Sequence, residues 1–259
     1  MVTQSLRVNF GIQKENVMDH LYPFLGDYKN DVNRDLMINL WQLSQDNEYV
    51  TLMINQHSHL FPKILSSCGT FYAVEYAKPI SRLDIYSDRP EDFFSRVQQA
   101  KLMLELLDDL QTSFPDPVHV CDVKLEHFGL LNGRQVLLDA DTVFPKTVVD
   151  RSVGDGRECR KHSDCDLFDC RSLCNKVLHV CDTPTVNNNL QIVCQKVFLD
   201  SGLLISRHLP SQTNQLLKEC ANPYSSQGRQ AAPVQFHNQL KNFVNEFLTM
   251  VAHSENTDV

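Results

Sequence analysis

Five of the nine cysteines in this chain, Cys159, Cys165, Cys170, Cys174 and Cys181, crowd into one short stretch, and nothing else in the sequence constrains the fold as tightly. The surrounding segment, about 150 to 185, is charged and has little hydrophobic periodicity, so it cannot bury a core of its own and should be loop-rich and held by covalent bonds. Zinc is the alternative cross-link. The spacings are irregular and no CxxC pair occurs, which favours disulfides over a metal site. Connectivity cannot be read from spacing, and the density of thiols points to an oxidising compartment. Nine is odd, so at least one cysteine stays unpaired or bonds outside the chain; Cys68 or Cys121, read as buried, is the candidate.

A chain of 259 residues with 42% hydrophobic content supports one domain of two lobes, or two small domains. The formal net charge of -8 argues against a nucleic-acid partner, because phosphate binding draws on clustered Lys and Arg. No window is long and apolar enough to span a bilayer, and the start, MVTQSLRVNFGIQKEN, lacks a basic region followed by an apolar one. No N-x-[ST] sequon occurs. Abundant cysteine without an export signal is reconciled if an amino-terminal targeting part is missing from this sequence.

Residues 10 to 60 read as helical, with a polar interruption at DYKNDVNRD. The run from Gly69 to Ile80 is rich in β-branched and aromatic residues and predicts a strand ending at Pro79. A core helix is predicted over 90–113, with Glu91 and Asp92 where the helix dipole favours anions and Pro115 and Pro117 beyond its end. Short apolar runs follow, VHVCDV, FGLL and RQVLLDA, and Asn132-Gly133 between the last two is a type I′ hairpin signal. Helices are expected over Asn189–Leu204 and Gln215–Cys220, and the stripe Phe236, Leu240, Phe243, Val244, Phe247, Leu248 and Val251 marks a final one.

Asp122, in VCDVKLEHFGL, and Asp139, in VLLDADTVF, lie at the ends of two short apolar segments separated by the hairpin, so both can reach one cleft. Phosphoryl transfer uses such a pair. One carboxylate orients the acceptor hydroxyl, and another holds the Mg²⁺ that bridges the ATP phosphates. The order of a strand with Glu75, a long helix, the Asp122 loop, a hairpin and Asp139 matches a kinase hinge, helix, catalytic loop and metal-binding loop.

DNEYVTLMI, SSCGTFYAVEYAKP, HVCDVKLEHFGLL, VLLDADTVFP, CRKHSDCDLFDCRSLCNKVLHVC, NNNLQIVCQ and LLKECANP together cover most of the chain from about 40 to 222. On these stretches the chain resembles the divergent protein kinase domain 1 family, also called family with sequence similarity sixty-nine. The resemblance implies an α+β, protein-kinase-like fold with a mostly helical C-lobe, a cysteine-rich insertion and an incomplete N-lobe. Residues 1–76 would form the partial N-lobe and 77–259 the C-lobe, with the cysteine-rich segment at 159–181. It further implies a home in the endoplasmic reticulum lumen or membrane, reached in the family through an amino-terminal span absent from this sequence, with a secretory-pathway protein as partner. Carried over by residue, Asp122 takes the catalytic role, Asp139 holds Mg²⁺ or Mn²⁺ with ATP, Glu48 is the αC glutamate, and Glu75 lies at the hinge; outside the family pattern, Asp141 offers a further carboxylate as a metal ligand.

The chain also departs from the kinase pattern. His127 stands where an asparagine oxygen is the usual cofactor ligand, Val120-Cys121 replaces His-Arg, and Ala140-Asp141 replaces Phe-Gly. No glycine-rich loop precedes the αC-like segment, and Lys14 is the only early candidate for the ATP-binding lysine. These losses make a pseudokinase, a disulfide-stabilised interaction module, the competing reading. DVNRDLMINLWQ has EF-hand-like spacing at Asp31, Asn33, Asp35, Asn39 and Gln42, but Leu36 replaces the turn glycine and Gln42 the bidentate glutamate, which argues against Ca²⁺. His57 and His59 read as surface or packing residues.

Overall fold

The computed structural model describes residues 34–81, 85, 89–206, 209, 211–225 and 227–255. The part of the predicted helical start that lies within the described residues is two helices, α1 (Arg34–Leu43) and α2 (Asn47–Ile54), divided by Asp46, whose carboxylate accepts the Tyr49 N–H at 3.1 Å and caps α2; its first part, 10–33, lies outside them. Asp35, Asn39 and Gln42 of the EF-hand-like motif stand on the continuous helix α1, while Asp31, Asn33 and Lys14 lie outside the described residues.

A hairpin follows, β1 (Ile64–Cys68) against β2 (Phe71–Val74), turning at Gly69 with φ +62°. The expected strand from Gly69 to Ile80 is therefore broken into a turn, β2 and a separate β3 (Lys78–Pro79). Proline lacks the N–H a central strand needs, and β3 sits at the edge of its three-stranded sheet. The other members, β5 (Phe128–Leu131) and β6 (Arg134–Leu137), form the hairpin that Asn132-Gly133 predicts, with φ of +52° and +78° at the turn.

Helix α3 (Pro90–Thr112) matches its predicted span and begins with proline at its first turn. It buries Phe93, Val97, Met103, Leu104 and Leu110 in the core and packs against the final helix, α7 (Val234–Glu255). Phe93 meets Phe247 edge-on at 5.3 Å, and Lys241 pairs with Asp108 across the same seam. Arg96, buried in α3, donates to the carbonyls of Ile85, Gly202 and Ile205 and so ties two loops to the helix.

Strand β4 (Val118–Val120) pairs antiparallel with β7 (Val143–Pro145), which runs directly into α4 (Lys146–Val153). The predicted helix over 189–204 starts as α5 (Asn189–Val193), widens into a π turn over Cys194–Asp200 and stops near Gly202. Helix α6 (Ser211–Ala221) is joined to it by the Cys194–Cys220 disulfide.

The cysteine-rich segment carries one two-stranded ladder, β8 (Cys174–Asn175) with β9 (Val180–Cys181), and its interior consists of the Cys159–Cys174 and Cys165–Cys181 disulfides packed together. These bonds stand in for the apolar core the segment lacks. Cys121 is not the unpaired thiol: it is bonded to Cys170, and the free cysteine is Cys68, which is exposed on the β1 hairpin rather than buried. Among the described residues no helix is long and apolar enough to cross a membrane.

His119, on β4, is 5% exposed and its Nδ1 has no hydrogen-bond partner. Burial, helped by the Lys146 charge and opposed by Asp150 and Asp116, pushes the ring's pKa down to about 4. An unfolded chain takes up that proton near pH 6.5, so between the two values the unfolded state binds more protons and stability falls as pH falls. The expected loss from pH 7 to 4 is on the order of 3 kcal/mol from this ring. Urea unfolding across that range should show a smaller loss in His119→Leu than in the parent; equal losses would refute a buried neutral ring.

Candidate functional site

Pairing of β4 with β7 brings the two aspartate loops together. Val120 lies opposite Val143, and the Cys121 N–H donates to the Thr142 carbonyl at 3.0 Å, so the residues leaving β4 and those entering β7 run side by side. Asp122 follows the first strand by two positions, and Asp139 to Asp141 precede the second. His127 links them from a short 3₁₀ turn, Leu125–His127: its Nδ1 is 3.1 Å from the Asp122 carbonyl and its Nε2 is 3.3 Å from Asp139 Oδ2. The His127 carbonyl also accepts the Leu138 N–H at 2.8 Å, fixing the approach of the Asp139 loop.

Asp141 donates its N–H to Asp139 Oδ1 at 3.3 Å. Its carboxyl is held above the usual range, first by burial, then by its hydrogen bond with Asp139 and the charges of Asp139 and Asp122. Glu48, near the start of α2, joins the same group. Burial raises its carboxyl, the Tyr72 hydroxyl donates to it and acts the other way, and Asp139, Asp46 and Asp141 raise it further. The Tyr72 phenol is itself pushed up by burial and by Glu48. Among the described residues no lysine or arginine pairs with Glu48.

Glu75 stays apart from this group. Its N–H donates to the Lys63 carbonyl at 2.9 Å and its carboxylate accepts the Lys63 N–H at 3.0 Å, closing the base of the β1–β2 hairpin. His59 Nε2 is 2.9 Å from Asp109 Oδ2 on α3, and His57 is exposed.

Several contributing residues had not been singled out from the sequence. Lys124 places Nζ 2.8 Å from Asp122 Oδ2, and that bond raises its own pKa; the Asp-x-Lys spacing was the available signal. Asp169 carries no local signal. It accepts the Val123 N–H at 2.9 Å, donates its own N–H to the Cys121 carbonyl at 2.6 Å, and pairs with Lys196 at 3.0 Å. Asn189 accepts the Val120 N–H at 3.0 Å and donates to the Val118 carbonyl at 2.7 Å.

Oxygen donors of Asp139 and Asp141, set among further carboxylates, suit a hard divalent cation, whose charge would relieve their repulsion. His127 already partners Asp139, and its nitrogen is a poorer ligand for such an ion.

The electrostatic account has a direct test in Glu48. A folded-state pKa raised above the unfolded value means that the folded form holds more protons in the carboxylate range, so this site favours folding as pH falls and opposes it as pH rises. Glu48→Gln should raise the melting midpoint at pH 7.5, with the advantage shrinking toward pH 5. A lower midpoint at pH 7.5 would show instead that the charge is compensated.

Residues 40–223 match the family model described as "Protein-kinase domain of FAM69". The chain is also similar to Divergent protein kinase domain 2A of Homo sapiens, at 27% identity over 212 residues, covering 71% of this chain and 46% of that protein. It thus spans about half the length of that relative. A kinase-like α+β frame with a partial N-lobe hairpin and a helical C-lobe, matched by the family model over most of its length, makes this chain a member of the FAM69 family of divergent protein kinases.

Proposed function

We propose that this chain is a lumenal, secretory-pathway domain that binds ATP with Mg²⁺ or Mn²⁺ and passes the γ-phosphoryl group to a hydroxyl of a protein acceptor. The observation that carries this reading is the convergence of the Asp122 and Asp139 loops, held together by His127. Asp122 takes the acceptor hydroxyl proton as its oxygen attacks the γ-phosphorus; the bond to the β,γ-bridging oxygen breaks, and ADP leaves with that oxygen. Lys124, beside Asp122, offsets charge on the transferring group. Asp139 and Asp141 would hold the divalent ion, which neutralises the phosphates when bound. Four disulfides support an oxidising compartment.

A second reading, a pseudokinase that engages a partner without catalysis, is favoured by one feature. Glu48 is bonded to a tyrosine rather than to a phosphate-positioning lysine among the described residues. Positioning of phosphates by fixed cations supplies much of kinase catalysis, so a cleft without one binds nucleotide better than it turns it over.

Thermal melting of the disulfide-intact chain with ATP and MnCl₂ tests the nucleotide site. At a hundredfold excess over Kd the stabilisation should be about 2.7 kcal/mol, and Asp139→Ala should abolish it. No shift in the parent chain rejects nucleotide binding. Where the shift is present, transfer of labelled phosphate that disappears in Asp122→Asn supports the kinase reading, and a shift without transfer supports the pseudokinase.

A further inference from the structure

Next to the aspartate loops lies a cavity of about 580 Å³, within the range of ligand pockets. Its apolar wall comes from Phe144 on β7, Val148 on α4, and Leu167 and Phe168 in the cysteine-rich segment; Asp46 and Asp141 supply carboxylates. None of the residues that line it is basic. The chain's net charge of -8 and the neighbouring Glu48, Asp122 and Asp139 deepen the negative potential inside it.

Phe168 is the unusual member. It is 66% exposed and holds φ +51°, a conformation rarely adopted by a bulky residue. The turn that presents it is rigid: Leu167 and Cys170 exchange N–H···O bonds of 2.9 Å, Cys170 is bonded to Cys121, and Asp166 is clamped by Arg229 at 2.7 Å. A covalently braced turn thus keeps an aromatic face at the cavity in place of packing it away.

We propose that this cavity docks the acceptor protein and takes a basic side chain, arginine ahead of lysine, from the segment next to the phosphorylated hydroxyl. A guanidinium is planar, stacks on phenylalanine faces and donates to two carboxylates at once, whereas an ammonium is a point charge that keeps its water. Asp141 belongs both to this cavity and to the metal-facing pair, so a side chain held here lies beside the reacting centre. Acidic segments would be repelled by the same carboxylates. The inference rests on the phosphotransfer reading for the identity of the docked protein as acceptor.

Fluorescence anisotropy of the disulfide-intact chain with the labelled peptide Ala-Arg-Arg-Leu-Ser-Leu, and with its Lys-Lys and Glu-Glu counterparts, tests it. Binding should fall from Arg to Lys to Glu, with about tenfold or more between the first and last. Phe168→Ala removes an exposed ring and should weaken the Arg peptide about fivefold or more while leaving the ATP and Mn²⁺ melting shift unchanged. Asp46→Asn keeps a good helix cap but removes a charge, and should narrow the gap between the Arg and Glu peptides. No binding of the Arg peptide, equal binding of the Arg and Glu peptides, or affinities untouched by both variants would overturn the assignment. Loss of the phosphotransfer reading looks different: no melting shift with nucleotide, whatever the peptides do.

Discussion

The candidate site depends on how a three-residue strand is pinned. β4 is too short to hold its own register, yet Asp122 is delivered from its end. Three independent restraints act on it. Backbone pairing with β7 fixes one side, the Asn189 amide bridges Val118 and Val120 on the other, and the Cys121–Cys170 bond holds the residue next to Asp122. Asp169 completes the clamp by bonding the backbone of Cys121 and of Val123, the two residues that flank Asp122. In the chain-entropy account, a cross-link closing 49 residues contributes about 4 kcal/mol, comparable to several of the strand's hydrogen bonds together.

That clamp gives the cysteine-rich segment a role beyond its own stability. Its inner half, through Asp169 and Cys170, is bonded to the Asp122 loop, and Lys196 on the wide turn after α5 neutralises Asp169. Its outer half is an independent staple of two adjoining disulfides. The segment therefore relies on covalent bonds where its hydrophobic residues, such as Phe168, Val177 and Leu178, stay exposed and form no core of their own.

Charge is the second organising feature. The charges of Asp139 and Asp141 reach Glu48, those of Asp139 and Asp122 reach Asp141, Lys124 pairs with Asp122 and His127 contacts Asp139, and burial keeps Asp141 and Glu48 protonated to higher pH than free carboxylates. Such a group is held together against its own repulsion by backbone geometry. Gathering carboxylates in this way costs free energy through mutual repulsion and burial.

Local pattern was enough wherever one segment decides its own conformation. The apolar stripes of α3 and α7 announce long helices because 3.6-residue spacing has one low-energy outcome, and Asn132-Gly133 announces its turn because both residues tolerate positive φ. The strand β1, Ile-Leu-Ser-Ser-Cys, was invisible because four of its five side chains are exposed and its residues carry no alternation. Cysteine content indicated covalent bonding, and the hairpin between Asp122 and Asp139 indicated that their loops could run side by side. What the sequence could not tell is which distant groups meet. Cys121 finding Cys170, Asp169 capping the Asp122 loop, Glu48 settling on Tyr72 and Glu75 turning away to Lys63 all join positions that share no local pattern. Only the closure of the tertiary fold decides them, because these contacts form between segments whose separation in the chain leaves no periodicity to read.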